Sequence, residues 1–385
     1  MTLPPDDAAL LAAVERFART AVAPHVERWE REGRIGREAW PEAAALGLMG
    51  IEVPVAHGGL GRPFSVKVRV AEALAQVDFG FTMSLVNTGN LAAKLLQHAQ
   101  PHVAQRYVAD LLSGARVGCT ALTEPHAGSD FAAITTLAER VPGGWRLNGR
   151  KAWITNARDT DLVVLYAQTE AGSGARGVAG FVVDGRRPGF VREGAYALTG
   201  QNTIGVGGFA LHDYVAADDE LLAAPGLAFK QAMNSINGAR TYIGAMCCGM
   251  VAEALRVASA HGEQREAFGR PLADHQGWRW RLAQADAELQ ACRLMVAQAA
   301  AAIDAGHDAQ LAAAQAKLLA TQMAERQLPA LAQAMGAEGL RAEHPFGRHL
   351  LGARVAAFVD GSSEMLLERI AAVRRASTRR SQRST

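Results

Sequence analysis

The chain is predicted to be α+β and mostly helical, running from helices to a block of strands and back to helices. Three observations predict this. Near the N-terminus, Leu10, Val14, Phe17 and Ala21 recur at helical spacing. The middle of the chain changes to short apolar runs separated by turn residues. Further on, Leu282, Ala285, Leu289, Cys292, Val296, Ala299 and Ile303 alternate steps of three and four, an apolar seam for helix packing. The resulting domains are an N-terminal helical one at 1–115, a β domain at 116–225, a helical one at 226–373 and a basic, disordered tail at 374–385.

Each element has a local cause. Asp6 and Asp7 suit the start of the first helix as caps and as charges facing its dipole. Glycines punctuate the helical region at Gly33–Gly36 and at 57–63. In the middle, Asn148-Gly149 reads as the tight turn of a hairpin joining 145–147 to 151–155. Runs at 161–168, 178–183 and 205–214 read as strands. Alternation puts Trp153 and Thr155 on one face of their strand. Cys292 within the seam reads as core. No GxGxxG follows a strand, so a Rossmann-type dinucleotide site is not expected.

Composition bounds the function. Charged residues make up 20% of the 385 and apolar residues 49%, as in soluble globular proteins. A net charge of +2 argues against a nucleic-acid partner. Cys119, Cys247, Cys248 and Cys292 have no CxxC spacing and suggest neither zinc nor disulfides, which points to a reducing, cytoplasmic setting. No secretion signal is read at the N-terminus, and no run of about 18 apolar residues is read as a membrane span.

The segment GCTALTEPHAGSD at 118–130 resembles the first signature of acyl-CoA dehydrogenases. Further stretches resemble that family in the same order: LGLMGIEVPVAHGGLG at 46–61, LNGRKAWITNA at 147–157, REAFGRPLADHQ at 265–276, QAMGAEG at 333–339 and VDGSSEM at 359–365. The resemblance implies a helical N-terminal domain, a β-barrel-like middle domain and a C-terminal four-helix bundle. It also implies a homotetramer with one FAD per subunit, an acyl-CoA or acyl-carrier-protein thioester as substrate, an electron-transfer flavoprotein as acceptor, and a place in fatty acid metabolism.

Carried over by resemblance, Thr120, the main chain of Leu122, and Thr123 face the flavin, with Ser129 near flavin phosphate or substrate. Trp153 and Thr155 lie beside the flavin ring. Arg265, Phe268 and Gln276 resemble an FAD site shared across subunits, where a guanidinium suits a pyrophosphate. Gln333 and Gly336 resemble another part of it, although Ala337 stands where a second glycine is usual. Ser362 falls on the cofactor side. Asn237, Arg240 and Gly361 fall on the substrate side.

The reaction needs a carboxylate that takes the substrate's α-proton. The family's glutamate is matched here by Asp360, one methylene shorter, and a misplacement of about 1 Å can cost roughly 100-fold in rate. Some relatives carry the acid just before the residue matching Arg240, but that position is Ala239. Glu364 is expected to point elsewhere. Leu351-Gly352 replaces a usual Arg-Asp, so an ion pair is missing. Gly80 and Thr82 to Ser84 stand where relatives taking dicarboxylates have an arginine, which argues against a dicarboxyl substrate. Two other functions stay open on the sequence. One is a nitroalkane-oxidase-like flavin oxidase, against which Leu366 and Leu367 stand where an arginine is expected. The other is a non-catalytic flavin-binding subunit or nucleic-acid-binding relative.

Overall fold

The computed structural model describes residues 5–383. The chain begins with α1 (Pro5–Phe17), continued by a wider turn at Ala18–Val22, then α2 (Val26–Glu32), α3 (Ala39–Ala45), α4 (Phe64–Ala75), α5 (Phe79–His98) and α6 (Pro101–Leu112). Eight strands follow: β1 (Gly118–Ala121), β2 (Leu137–Val141), β3 (Gly144–Ile154), β4 (Leu162–Gln168), β5 (Val178–Asp184), β6 (Phe190–Ala195), β7 (Gly207–Ala217) and β8 (Leu221–Ala223). The remainder is α7 (Ala228–Gln264), a small ribbon of β9 (Glu266–Ala267) and β10 (Arg270–Pro271), α8 (Gln276–Asp304), α9 (Gln310–Ala334), α10 (Phe346–Phe358) and α11 (Ser363–Arg383). The expected order of helices, strands and helices is observed.

The chain forms two compact units, each built from separated stretches. One unit comprises Arg19–Pro63 and Gly80–Ser235. Its sheet runs β6-β7-β3-β2-β4-β5-β8, with β1 parallel to β4. Both ends of that path are edges, so the sheet is open and the expected barrel is not closed. Every residue of β4 and β5 is buried because apolar layers cover both faces. Leu162, Val164 and Tyr166 pack with Leu91, Leu95, Tyr107 and Leu111 of α5 and α6. Val163, Leu165 and Ala167 point the other way, to Phe181, Phe209, Leu211 and Tyr214. A strand covered on both sides carries a continuous apolar run, and LVVLYAQ is such a run.

The predicted Asn-Gly hairpin is not there. β3 runs unbroken through Asn148 and Gly149 and pairs with β7, with a register shift between Leu147 and Gly149. Asn148 exchanges hydrogen bonds with Asp213 instead of making a turn. A side chain at Gly149 would lie 2.5 Å from Thr136 Oγ1, so the glycine serves close strand approach at a bulge. The real hairpin joins β2 to β3 through Pro142-Gly143. Strands β1, β2, β6 and β8 were not read from the sequence, whereas β4, β5 and β7 lie where strands were expected.

The other unit comprises Met1–Ala18, Phe64–Phe79 and Ile236–Thr385. Asp6 and Asp7 lie in the first turn of α1, as charge matching requires. The α8 seam is confirmed: Ala285, Leu289, Cys292, Val296 and Ala299 are buried. α9 packs against α8, α10 and α11, with Leu318 and Leu366 sharing a small core. Two readings change. α7 is, by length and composition, apolar enough to cross a membrane, yet 67% of that window is buried inside the protein, as in a core helix. α11 continues to Arg383, through residues expected as a disordered tail; Ser384 and Thr385 lie outside the described residues.

Candidate active site

In the sheet unit, Thr120 lies on β1, where its hydroxyl accepts a hydrogen bond from Lys94 Nζ at 3.2 Å. Beyond β1 the chain folds back on itself, Glu124 and Ala127 exchanging two backbone hydrogen bonds. The loop is fixed from below by a buried ion pair. Lys151 Nζ donates to Glu124 Oε1 at 2.8 Å and to the Leu122 carbonyl at 3.0 Å, and both charged side chains are 1% exposed. Glu124 also accepts from the backbone N–H groups of Thr135 and Thr136. Burial acts upward on the Glu124 carboxyl, but Lys151 and these donors outweigh it and hold the group well below the usual carboxylate range. Burial lowers Lys151 against the opposing pull of Glu124.

Next to Lys151, Ala152 N–H donates to the Thr123 carbonyl at 3.1 Å. The β3–β7 register slips by one residue between Lys151 and Ile154, a second bulge. It leaves Trp153 at φ 59°, a left-handed conformation that is unusual for a bulky residue. Its indole is 60% exposed and lies 4.8 Å from the Tyr196 ring. Ala152, Ile154 and Asn156 are buried, while Trp153 is exposed and Thr155 half-buried. Asn156 closes the segment: its amide donates to the carbonyls of Ser84 and Gly118 and its oxygen accepts from Ser84 Oγ. Thr82 and Ser84 are thus buried framework residues. Ser129 is exposed on the loop.

In the helical unit, Asp360 and Gly361 form the turn between α10 and α11. Asp360 has φ 54° and Gly361 φ 101°. Three successive carbonyls here are held by two buried cations. Lys317 of α9, 0% exposed, donates to the Val359 carbonyl and to that of Gly361 at 2.5 Å. Arg240 of α7 donates from Nε to the Asp360 carbonyl at 3.1 Å and from Nη1 to Asn237 Oδ1 at 3.4 Å. A side chain at Gly361 would sit 3.2 Å from Arg240 Nη2, so the position needs glycine for conformation and for space. Burial pushes Lys317 down to about 8, with the Asp360 carboxylate opposing the shift. Burial also lowers Arg240, again with Asp360 opposing. Ser362, expected on the cofactor side, lies just before α11, where its carbonyl accepts from Leu366 N–H. Glu364 is exposed, as expected.

A third group lies in the same unit. Phe268 and Gly269, at φ 53° and 74°, form the two-residue turn between β9 and β10, both left-handed as in a type I′ turn. The Phe268 ring is 98% exposed. Arg265 and Gln276, at the base of the ribbon, are also exposed. Trp278 donates from its indole to the Ala334 carbonyl at 2.9 Å, which brings this segment beside the end of α9. Exposed Gln333 and Gly336, at φ 64°, lie at that end. Nearby Glu338, Glu343 and His344 gather within 4.8 Å, but Arg341 pairs with both acids, so the cluster reads as a surface ion-pair network.

Three residues central to this geometry escaped sequence reading: Glu124, Lys151 and Lys317. Glu124 and Lys151 lay inside recognised segments and Lys317 outside them, but a lysine or glutamate reads as surface until its burial is seen. The missing ion pair at Leu351-Gly352 has a counterpart in packing: a side chain at Gly352 would lie 2.8 Å from Met250 Sδ and 3.1 Å from Phe79 Cβ.

Sequence models of the acyl-CoA dehydrogenase N-terminal, middle and C-terminal domains match residues 4–115, 119–214 and 229–374. The mitochondrial short-chain specific acyl-CoA dehydrogenase of Bos taurus is 31% identical over 351 residues, covering 91% of this chain and 85% of that protein. The structure of butyryl-CoA dehydrogenase from Megasphaera elsdenii superposes with a TM-score of 0.92 at 27% identity, covering 97% and 99% of the two chains. A glutaryl-CoA dehydrogenase from Mycobacterium smegmatis, solved with FADH2, gives a TM-score of 0.90 at 26% identity over 96% and 94%.

Proposed function

Since the chain belongs to the acyl-CoA dehydrogenase family, we propose that it oxidises an acyl thioester across its α–β bond with FAD as cofactor and Asp360 as base. The chain is an oxidoreductase of the acyl-CoA dehydrogenase kind. The observation that carries the finer assignment is the Asp360 turn. A left-handed aspartate is held by cations on the carbonyls at 359, 360 and 361, at the position where the family resemblance requires an acid.

The residues present fit FAD. Thr120, Thr123 and Ser129 offer hydroxyls on a loop whose carbonyls at 122 and 123 are already engaged. The exposed Trp153 indole offers a flat apolar face. Arg265 offers a fork of donors for a pyrophosphate. FAD when bound supplies the hydride acceptor. Asp360 takes the α-proton as the β-carbon loses hydride, leaving an α,β-unsaturated thioester. The charge that grows on the thioester oxygen needs hydrogen-bond donors placed in advance. Arg240 and Lys317 lie within electrostatic reach of the Asp360 carboxylate.

The exposed Phe268, with Arg265 and Gln276 at the ribbon base, supports an FAD site completed by a second subunit and hence a homotetramer. The four free buried thiols support a reducing cytoplasmic setting. Electron-transfer flavoprotein is the acceptor assigned by family. The test is Asp360→Asn. The variant is expected to keep FAD and bind substrate, while anaerobic flavin reduction against a panel of acyl-CoAs nearly vanishes. Full-rate reduction would eliminate Asp360 as the base.

A further inference from the structure

We propose that Lys317 is a positioning residue for the base: its ammonium fixes the backbone on both sides of Asp360 and so sets where the carboxylate stands. The proposal rests on the reading of Asp360 as base and adds the device that makes a short acid usable.

Asp360 is left-handed at φ 54°, a conformation that is strained for a non-glycine residue and needs support from its surroundings. The support is lopsided in origin. Arg240 reaches the central carbonyl of the turn from α7, while Lys317 alone reaches the two flanking carbonyls from α9. One ammonium bridging the Val359 and Gly361 carbonyls fixes the peptide plane just before Asp360 and the one just after Gly361, while Arg240 holds the plane between them. Hydrogen bonds from a charged donor are stronger than neutral ones, so the bridge supports the left-handed backbone. The aspartate side chain has one rotatable bond fewer than glutamate. Its carboxylate position therefore follows the backbone more closely, and a loosened turn displaces it directly. Placing lysine fully inside the protein also needs a reason. Burial lowers its affinity for a proton, and the carbonyls and the Asp360 charge are what oppose this.

The test uses the FAD-loaded full chain and two variants, Lys317→Met and Lys317→Gln. Methionine fills the space without a donor; glutamine keeps one amide donor. Three quantities are read: the flavin reduction rate per bound FAD, the substrate dissociation constant, and amide hydrogen exchange in residues 357–363. A displacement of about 1 Å predicts a rate loss of roughly 100-fold in Lys317→Met, with a smaller loss in Lys317→Gln. Substrate affinity should change by less than about threefold, and exchange at 357–363 should rise at least tenfold while the sheet unit stays protected. Unchanged exchange at 357–363, or an unchanged rate per FAD in whichever variant folds, overturns the proposal. These outcomes are separable from the assignment of the base, because full activity in Asp360→Asn would remove that assignment whatever the Lys317 variants do.

Discussion

Replacing Lys151 by methionine should strand a charge in the floor of the 120–130 loop. Lys151 and Glu124 are each 1% exposed, and their contact is 2.8 Å. Without Lys151, Glu124 keeps the donors of Thr135 and Thr136 and the His126 ring nitrogen 3.7 Å away, and the Leu122 carbonyl loses its ammonium partner. Breaking one side of a buried pair costs about 3–5 kcal/mol, because the remaining charge is left unpaired rather than because the pair itself is strongly favourable. Adding Glu124→Gln removes that charge and keeps an acceptor oxygen for one of the two backbone N–H groups, which donate to different carboxylate oxygens. The double variant should therefore recover at least about 2 kcal/mol relative to Lys151→Met alone. Urea midpoints report the cost, and amide exchange across 118–168 locates it. The same loss appears as roughly 10²- to 10³-fold faster exchange, at about 1.4 kcal/mol per tenfold. The pH dependence has a definite sign. Glu124 lies at about 2 against an ordinary 4.5, so the pair contributes fully above pH 4.5 and its contribution is lost as pH falls toward 2. A double variant as unstable as the sum of the two single ones would refute the pairing argument.

Two further outcomes follow from buried and exposed extremes. His349 is 0% exposed, and burial pushes it down to about 3, with Nε2 3.0 Å from the Gln76 carbonyl. The unfolded chain binds a proton there below about pH 6.5 and the folded chain does not, so stability is lost as pH falls from 6.5 toward 3; His349→Leu should flatten urea midpoints over that range by one proton's worth of slope. Phe268→Ser should leave the melting temperature of the isolated subunit within about 2 °C while lowering FAD retention and tetramer content together, read by absorbance and sedimentation; an unchanged tetramer with full FAD would show that the ring faces nothing.

The broad fold was legible because its periodicities are long. The α8 seam and the apolar runs of β4 and β5 each state their burial directly in the sequence. Asn148-Gly149 misled because the same dipeptide serves a tight turn or a bulge, and only the Thr136 backbone passing against Gly149 decides between them. The edge strands β6 and β8 were missed for another reason: β6 is almost wholly exposed beyond Phe190, and β8 is three residues long. At α11 a run of arginines and serines reads as a tail, although the helix continues through it to Arg383. In the site, motif matching located the 118–130 loop and the Asp360 turn, but not the buried lysines that hold their carbonyls.

The two lysines that sequence reading missed share one physical role. Trp153 and Asp360 are both non-glycine residues in left-handed backbone, and each lies beside carbonyls gripped by a buried lysine. Lys151 holds the Leu122 carbonyl next to the Trp153 bulge; Lys317 holds the carbonyls flanking Asp360. A left-handed backbone turns a side chain out of the regular pattern of its element, which suits a residue that must face a ligand. The same departure removes the ladder or helix bonds that would satisfy nearby carbonyls. An ammonium has three donors and no required plane, so it can gather carbonyls pointing in irregular directions. That requirement explains why lysine occupies these two interior positions, where an apolar residue of the same volume would pack as well but leave the carbonyls unpaired at about 1–3 kcal/mol each.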